Sequence, residues 1–488
     1  MSTSSVAPEA VSALHQELVE LLGERNVSAD QRIRERASVD EATMSPIISE
    51  QLPLGLADLV AWPTDAEQIA AVVSAAYRHG VPLTPRGKGT GNYGQGIPMH
   101  GGLVLDTSRA RAIVEVGDGS ITTESGATMI AMEQAAAEAG QQVWMYPSTA
   151  QSTIGGFLSG GSGGTGSITH GSNWMGFVTA LDVALPAEEP TLLHVEGEEA
   201  QTFVHTYGTA GVIARATVRL EPAQDWRSLY ASFPDFEPAQ AVLRSLRGLD
   251  PAPRLVSADT RDITAKLPAD PGIPTDACSL RAILDASTLA EATSLIAAGG
   301  GTVLDVREGI QQAVKVSMLS YNHPIYWLKR NTPEVTYFHV EVGGEALIDR
   351  IEEVHAVYPG GMLHLEAAHL FPIGMLAAPY TGAEDVYAGY PKLQELGVRV
   401  HSPHQWYVDH DIDKVLELKA RTDPRGLLNP GKLGAPDDAV LGNSTASAQP
   451  ARQPVGQPVG QPVGQPVGQP VGHVNDQAAQ AASEGLMA

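Results

Sequence analysis

The chain has 488 residues, of which 43% are hydrophobic and 18% are charged, as in globular proteins of two or three domains. The formal net charge of −25 argues against binding to nucleic acid or to an anionic membrane surface. Cys278 is the only cysteine, which excludes an intrachain disulfide and a thiolate metal cluster and fits a reducing cytoplasm. The N-terminus shows no signal-peptide pattern and no run of 18 apolar residues occurs, so we expect no membrane span.

The N-terminal half of the chain predicts a helical lead-in followed by an α/β domain. Apolar residues at helical spacing predict the lead-in over residues 1–50. From residue 51 to 222 short apolar strands alternate with helices. Thr64 with Glu67 three residues later predicts the start of one helix, and Thr128 to Ala139 predicts another.

The C-terminal half predicts three further parts. Residues 223–399 mix helical stretches, such as 346–358, with strands and predict a second domain. Residues 400–436 form a closing segment that includes Asn-Pro-Gly-Lys. In residues 437–488 the tetrad Gln-Pro-Val-Gly repeats five times, and proline at every fourth position predicts a disordered tail outside the chemistry.

Residues 85–96, the first glycine segment, follow a predicted strand and contain five glycines. Backbone amides without side chains can surround an anion, and Arg86 and Lys88 add positive charge. The segment matches neither a P-loop nor a Rossmann fingerprint. By itself it is equally typical of a long surface loop.

Residues 147–171, the second glycine segment, strengthen the case for a ligand. Eight of the twenty residues from Thr153 to Ser172 are glycine, and hydroxyl side chains stand among them. Such a stretch packs poorly as a core but can lie along an extended polar ligand. Two such segments about sixty residues apart suggest a dinucleotide with its pyrophosphate between them.

Five motifs occur in a fixed order along the chain: Pro85-Arg86-Gly87-x-Gly, Ser152-Thr153-Ile154-Gly155-Gly156, His170-Gly171, Tyr207-Gly208-Thr209-Ala210-Gly211-Val212-Ile213 and Asp423-Pro424-x-Gly426-Leu427-Leu428-Asn429-Pro430-Gly431-Lys432. In order and spacing they resemble the FAD-binding oxidoreductases of the vanillyl-alcohol oxidase and p-cresol methylhydroxylase family, over about Leu56 to Leu433. The nearest members are bacterial and glycolate- or D-lactate-oxidase-like. The resemblance implies an α+β fold, in which a two-subdomain FAD-binding part carries an α+β substrate (cap) domain.

The resemblance also implies FAD as the cofactor and which positions hold it. In the first glycine segment these are Arg86, Gly87, Lys88, Gly89 and Thr90 at the pyrophosphate, with Gln95. In the second they are Pro147, Ser152, Thr153, Gly155, Gly156, Gly163, Ser167 and Gly171, along the flavin and ribityl side. At the adenine end they are Gly211, Val212 and Ile213, and near the flavin ring Asn429 and Lys432.

The mode of flavin attachment is expected to be noncovalent. Family members that bond the flavin through the first segment carry a histidine where this chain has Thr90. A link through the C-terminal part stays open, because His401, His404 and Tyr407 lie there.

Five residues are candidates for catalysis: Tyr321, Asn322, His323, His339 and His404. Oxidation of a carbon–hydrogen bond by flavin requires a proton acceptor for the attached hydroxyl, and histidine serves near neutral pH. The glycolate- and D-lactate-oxidase-like subgroup has a similar Asn-His pair and a Pro-His pair at the position of His404. The alternatives are turn chemistry for Asn-His-Pro and a capped surface turn at His404.

No metal is expected, although His364, Glu366 and His369 could form a two-histidine, one-carboxylate site. Their spacing matches no standard metal motif. Cations that could anchor a substrate carboxylate are few: Lys315, Lys329 and Arg330.

The favoured function is oxidation of an alcohol or a 2-hydroxy acid by hydride transfer to FAD, with oxygen or an electron carrier as the reoxidant. The alternatives are oxidation of a para-substituted phenol, served by the tyrosines of the second domain and the closing segment, and a flavin protein whose role is electron relay or docking. The substrate would be a small molecule. A homodimer is a further expectation from the resemblance.

Overall fold

In the computed structural model, residues 6–433 are described, apart from 53 and 409. Contacts divide the chain into two units, Met1–Pro436 and Asp437–Ala488. The predicted repeat tail lies outside the described residues. The described part contains helices and three sheets, so the expected α+β class is confirmed.

The first sheet has the strand order β1-β2-β4-β3, and β2, β4 and β3 run parallel. Its strands are β1 (Val27–Ser28), β2 (Leu59–Ala61), β3 (Leu83–Arg86) and β4 (Leu103–Asp106). Its helices are α1 (Pro8–Leu22), α2 (Gln31–Ala37), α3 (Pro46–Gln51) and α4 (Ala66–His79). Helix α1 packs its buried leucines against α4, so the lead-in belongs to this layer.

The predicted helix start at Thr64 is wrong by one residue. Asp65 is the N-cap of α4, because its carboxylate accepts the Gln68 amide at 2.8 Å. The Gln68 side chain in turn accepts the Thr64 amide at 3.0 Å, which closes a reciprocal cap. Asp and Ser/Thr are both good caps, so the sequence alone did not separate the two neighbours.

The second sheet has the order β5-β6-β10-β8-β9, with β7 paired to β10. Its strands are β5 (Ile113–Gly117), β6 (Ser120–Glu124), β7 (Gln141–Val143), β8 (Val178–Leu185), β9 (Thr191–Glu196) and β10 (Val212–Pro222). Its helices are α5 (Met129–Glu138), α6 (Ile154–Gly160), α7 (Ser167–His170) and α8 (Gly197–Gln201). Thr128, where the second helix was predicted to begin, is the N-cap of α5. The second glycine segment contains the short helices α6 and α7, which its glycine-rich sequence did not predict.

The third sheet is antiparallel and has the order β14-β11-β13-β12-β16-β17-β15-β18. Its strands are β11 (Trp226–Phe233), β12 (Leu255–Asp259), β13 (Cys278–Asp285), β14 (Thr302–Glu308), β15 (Tyr337–Gly343), β16 (Met362–Glu366), β17 (Ile373–Pro379) and β18 (Arg399–His401).

The helices that follow the second sheet in the chain are α9 (Phe236–Arg247), α10 (Arg261–Thr264), α11 (Leu289–Ala298), α12 (Ile310–Ser317), α13 (His323–Arg330), α14 (Ala346–Asp349), α15 (Ile351–Ala356), α16 (Ala383–Glu395) and α17 (Ile412–Thr422). Short 3-10 turns occupy Glu24–Asn26, Ala42–Met44, Thr107–Arg109 and Ala286–Thr288. The single helix predicted over 346–358 is wrong, because Arg350 leaves helical geometry (φ −135°, ψ 36°) and separates α14 from α15.

The two faces of the third sheet differ in polarity. Along β15, Phe338, Val340 and Val342 point into a large apolar core, while His339 and Glu341 point to the other face. On that second face the register aligns further polar residues from the neighbouring strands: Asp259, Arg281, His364 and Glu366. A buried sheet face with this many ionisable groups is a feature that packing alone does not require.

The last part of the closing segment, residues 423–433, pairs beside β3. The Leu83 amide donates to the Leu427 carbonyl at 2.8 Å, and the Asn429 amide donates to the Leu83 carbonyl at 2.7 Å. Because β3 leads directly into the first glycine segment, residues 423–433 lie next to that segment.

Candidate functional site

The two glycine segments touch each other. A Cβ at Gly87 would collide with the Thr153 hydroxyl, so only glycine fits this contact. Close by, the hydroxyls of Thr90 and Ser152 form a hydrogen bond of 2.8 Å. The predicted cofactor residues of the two segments therefore lie side by side.

The first glycine segment presents donors at its turn. Gly89 has φ +67° and lies against the Arg86 guanidinium, where a side chain would not fit. Within the described residues, the backbone N–H groups of Lys88, Gly89 and Thr90 make no hydrogen bond. Lys88 is exposed at the same turn. Free amides with one cation form a suitable environment for a phosphate.

The closing segment holds the first glycine segment in place. The Asn429 side chain donates to the carbonyls of Gln95 (3.0 Å) and Tyr207 (2.7 Å), and Lys432 donates to the Gly94 carbonyl at 2.6 Å. Lys432 is fully buried, and burial lowers its pKa to about 7. Asn429 Oδ1 is buried without a partner among the described residues.

The second glycine segment is organised by its hydroxyl groups. Thr153 caps α6 by accepting the Gly156 amide, and Ser167 Oγ accepts the Gly164 amide at 2.8 Å. Gly155 packs closely on Ser125, so a Cβ added at Gly155 would lie 2.8 Å from the Cβ of Ser125. The other predicted residues of this segment are placed as follows: Pro147 is half-buried, Gly163 adjoins Ser167 and Tyr321, and Gly171 has φ +72°.

The predicted adenine-end residues lie at the start of β10. A Cβ at Gly211 would collide with Val183 of β8. Val212 and Ile213 pair with Ala184 and Val183, whereas pairing of β10 with β6 begins only at Arg215.

Three of the predicted catalytic residues reach the glycine segments. The Tyr321 hydroxyl donates to the Gly164 carbonyl at 2.8 Å, and His323 Nε2 lies 3.5 Å from the Thr149 hydroxyl. The Asn322 side chain donates to the Tyr93 hydroxyl, in the first glycine segment, at 3.0 Å. Burial lowers the pKa of His323 to about 4, so its imidazole is neutral at pH 7.

Two residues of this arrangement were missed in the sequence. The Tyr93 hydroxyl donates to Glu341 Oε1 at 2.5 Å, and Glu341 Oε2 pairs with His401 Nδ1 at 2.8 Å. Although burial opposes ionisation, hydrogen bonds from His401 and Tyr93 lower the pKa of Glu341 to about 2. A tyrosine within a glycine-rich turn was the available signal for Tyr93. Glu341 offered none, because it lies 248 positions away.

The remaining two predicted catalytic residues, His339 and His404, form a neighbouring group with ring centroids 6.4 Å apart. His404 Nδ1 hydrogen-bonds the Ser45 hydroxyl at 2.7 Å. Both ring nitrogens of His339 are buried without a hydrogen bond among the described residues. Burial lowers the pKa of both histidines to about 3. The pair His339 and His404 lies next to the contacts of Tyr93 and Glu341, because His339 and Glu341 share a face of β15.

His364 and Glu366 share a face of β16, and His364 lies between two carboxylates. Its Nδ1 is 2.7 Å from Asp259 and its Nε2 is 2.7 Å from Glu366. Burial opposes protonation, but these carboxylates raise the pKa of His364 to about 9. His369 instead contacts the Ile168 carbonyl at 3.1 Å. No group of side chains that could hold a metal ion occurs in the part of the chain that the structure describes.

The candidate cations differ in exposure. Lys329 is largely buried and donates to the Met44 carbonyl, and burial lowers its pKa to about 7. Arg330 is exposed and donates to the Tyr326 hydroxyl. Lys315 lies in the last turn of α12.

The arrangement fits a bound dinucleotide. It offers a glycine turn with free amides and a cation, a second glycine stretch against it, and partly exposed polar side chains from the third sheet region. None of the helices in the described residues is both long and apolar enough to span a bilayer.

Comparison with known proteins agrees with this fit. Residues 57–190 match the sequence family described as the FAD binding domain. An uncharacterized FAD-linked oxidoreductase of Mycobacterium tuberculosis is 26% identical over 249 residues, 49% of this chain and 52% of that protein. A D-lactate dehydrogenase of Archaeoglobus fulgidus is 27% identical over 37% of this chain and 43% of that protein. The glycolate oxidase subunit GlcD of Bacillus subtilis is 26% identical over 39% and 42%.

These matches cover about half the length of the curated relatives, or less. A solved structure of alkyldihydroxyacetonephosphate synthase shares the fold, with a TM-score of 0.70 over 88% of this chain and 86% of that one, at 16% identity. Residues 57–190 therefore form an FAD-binding domain, and the chain is similar in sequence to FAD-linked oxidoreductases and in fold to alkyldihydroxyacetonephosphate synthase.

Proposed function

We propose that the protein oxidises the hydroxyl-bearing carbon of a small 2-hydroxy acid or alcohol, with FAD held noncovalently between the two glycine segments. The observation that carries the proposal is the meeting of Tyr321, Asn322 and His323 with both glycine segments. The names of two relatives, D-lactate dehydrogenase and glycolate oxidase subunit, favour 2-hydroxy acids as the substrate class.

Each residue of the group has a separate task in this proposal. Bound FAD supplies a two-electron acceptor for a carbon-bound hydride. His323 accepts the hydroxyl proton at Nε2, the ring nitrogen that faces Thr149, and its low pKa keeps it neutral for this purpose. Asn322 and Tyr93 orient the substrate hydroxyl, and Glu341 keeps the Tyr93 hydroxyl fixed. Lys329, a largely buried side chain on the same helix as His323, serves as an anchor for a carboxylate.

The contacts of the tyrosines give the phenol alternative no added support. The hydroxyl of Tyr321 is bonded to Gly164, that of Tyr380 to Glu50 and that of Tyr326 to Arg330, in different places. A phenolate site would require several of them around one ligand.

The test is anaerobic bleaching of the flavin absorption by lactate (both enantiomers), glycolate, 2-hydroxyglutarate and simple alcohols. We expect at least one 2-hydroxy acid to reduce the flavin. In His323→Ala the reduction should slow by about 10²–10⁴-fold at unchanged flavin content, because a general base is lost. The matched control is His194→Ala, an exposed histidine of β9. Reduction by none of these compounds, or an unchanged rate in His323→Ala, contradicts the proposal.

A further inference from the structure

Four ionisable side chains of the third sheet form a continuous buried chain of contacts. Arg281 of β13 pairs with Asp259 of β12, Asp259 contacts His364 of β16, and His364 contacts Glu366. All four side chains are 1% exposed or less. With His364 protonated, the two positive and two negative charges cancel, which makes their burial tolerable.

The first and the last of these four side chains, Arg281 and Glu366, bind the same short segment before α13. Arg281 Nη2 donates to the Leu319 carbonyl at 2.8 Å. Glu366 Oε1 accepts the Tyr321 amide at 2.8 Å. Because these two backbone groups are only two residues apart, the four charged side chains act as a clamp on the turn that leads into the candidate active site.

The clamped turn has an unfavourable backbone conformation. Tyr321 has φ +53°, a left-handed value that a bulky residue rarely adopts without support from its surroundings. This conformation allows the Tyr321 hydroxyl to reach the Gly164 carbonyl. The next two residues, Asn322 and His323, then face Tyr93 and Thr149.

From this geometry we infer that Glu366 is a positioning residue: it holds Tyr321 in its left-handed conformation and thereby places Asn322 and His323 against the two glycine segments. The inference rests on the proposed function for the chemical role of His323. Glu366 itself touches the turn and His364, and it acts on the substrate only through them.

The role predicts a specific kinetic effect. In Glu366→Ala the Tyr321 amide loses its acceptor and the turn relaxes, so His323 moves from its place. Because small misplacements of a reacting group are costly, the rate constant of flavin reduction should fall by about 10- to 100-fold. Flavin content should change by less than about threefold, since Glu366 contacts the turn and His364 rather than the glycine segments. Glu366→Gln keeps an acceptor oxygen for the Tyr321 amide and should restore most of the rate.

The control is Asp270→Asn. It breaks the ion pair of Asp270 with Arg307 of β14 in the same sheet without touching residues 319–321. This variant should reduce its flavin at the rate of the unaltered protein. Equal loss of rate in Asp270→Asn and Glu366→Ala would overturn the inference, as would Glu366→Ala reacting at the normal rate.

A second measurement does not depend on a substrate. Hydrogen exchange of the Tyr321 amide in the FAD-loaded protein should be slow, fast in Glu366→Ala and slow in Asp270→Asn. If no substrate reduces the flavin but this pattern appears, the proposed function fails and the clamp stands. Fast exchange in the unaltered protein, or slow exchange in Glu366→Ala, overturns the clamp whatever the enzymatic result.

Discussion

At the scale of single residues, the histidines of the site fall into two electrostatic classes. His323, His339 and His404 lie largely out of solvent and form no ion pair with a carboxylate among the described residues, and burial lowers their pKa values to about 4, 3 and 3. His364 lies between two carboxylates and has its pKa raised to about 9. At neutral pH the first three are therefore available as neutral bases or hydrogen-bond partners, and His364 is a structural cation.

The low pKa of His323 predicts the pH dependence of the reaction. Only a neutral imidazole can accept the hydroxyl proton, so kcat/KM should show no loss as the pH falls through 6.5 and should decline only near pH 4. The measurement is the pH profile of kcat/KM with the best substrate of the bleaching series. An acid limb near the ordinary value of 6.5 would contradict the assignment of His323 as the base.

The amide of Asn429 is predicted to secure the first glycine segment. Asn429→Gly keeps the left-handed backbone (φ +39°) but removes the two bonds to Gln95 and Tyr207. We expect a loss of about 1–3 kcal/mol in the free energy of unfolding, measured by urea denaturation, together with weaker FAD retention. Asn331→Gly is the control, because that exposed amide bonds the Lys266 carbonyl and no other described residue. Equal retention of FAD in the two variants would contradict this role.

At the scale of elements, local sequence patterns predicted those helices and strands whose positions depend mainly on neighbouring residues. The helix predicted over Thr128 to Ala139 corresponds to α5, and the strand predicted directly before the first glycine segment corresponds to β3. The break at Arg350 and the cap at Asp65 were missed, because tertiary contacts decide between neighbouring alternatives of similar propensity.

For the candidate site, glycine spacing and family resemblance predicted both glycine segments and their proximity. The contact of Tyr93 with Glu341 could not be predicted, because it depends on how the third sheet packs on the first glycine segment. The contacts among the four charged side chains of the clamp likewise could not be predicted. These side chains come from three strands whose register a single sequence does not reveal.

The contact between the two glycine segments predicts a contrast between two alanine variants. Gly87→Ala places a methyl group into the Thr153 hydroxyl and should separate the segments, with loss of most bound FAD. Gly96→Ala, in the same segment, meets no atom closer than 3.8 Å and should keep its FAD. The measurement is the flavin-to-protein absorbance ratio after purification. Full FAD content in Gly87→Ala would show that the segments need not touch.

At the scale of the whole molecule, the described residues combine three sheets into one site. The first and second sheets carry the glycine segments, the third presents its polar face, and the closing segment returns beside β3. The proposed substrate-facing residues thus come from the third sheet and α13, and the proposed cofactor-binding residues come from the two glycine segments, the start of β10 and the closing segment. A flavin between them would contact groups from both parts of the chain.

The central claim, that this site holds FAD noncovalently, is tested most directly by the visible absorption spectrum of the purified protein before and after acid precipitation. We predict flavin bands in the native protein that move entirely to the supernatant after precipitation. Colour that stays in the pellet would contradict noncovalent binding and would point to a link through the C-terminal part. A protein that shows no flavin bands, and acquires none when FAD is added, would contradict the account as a whole.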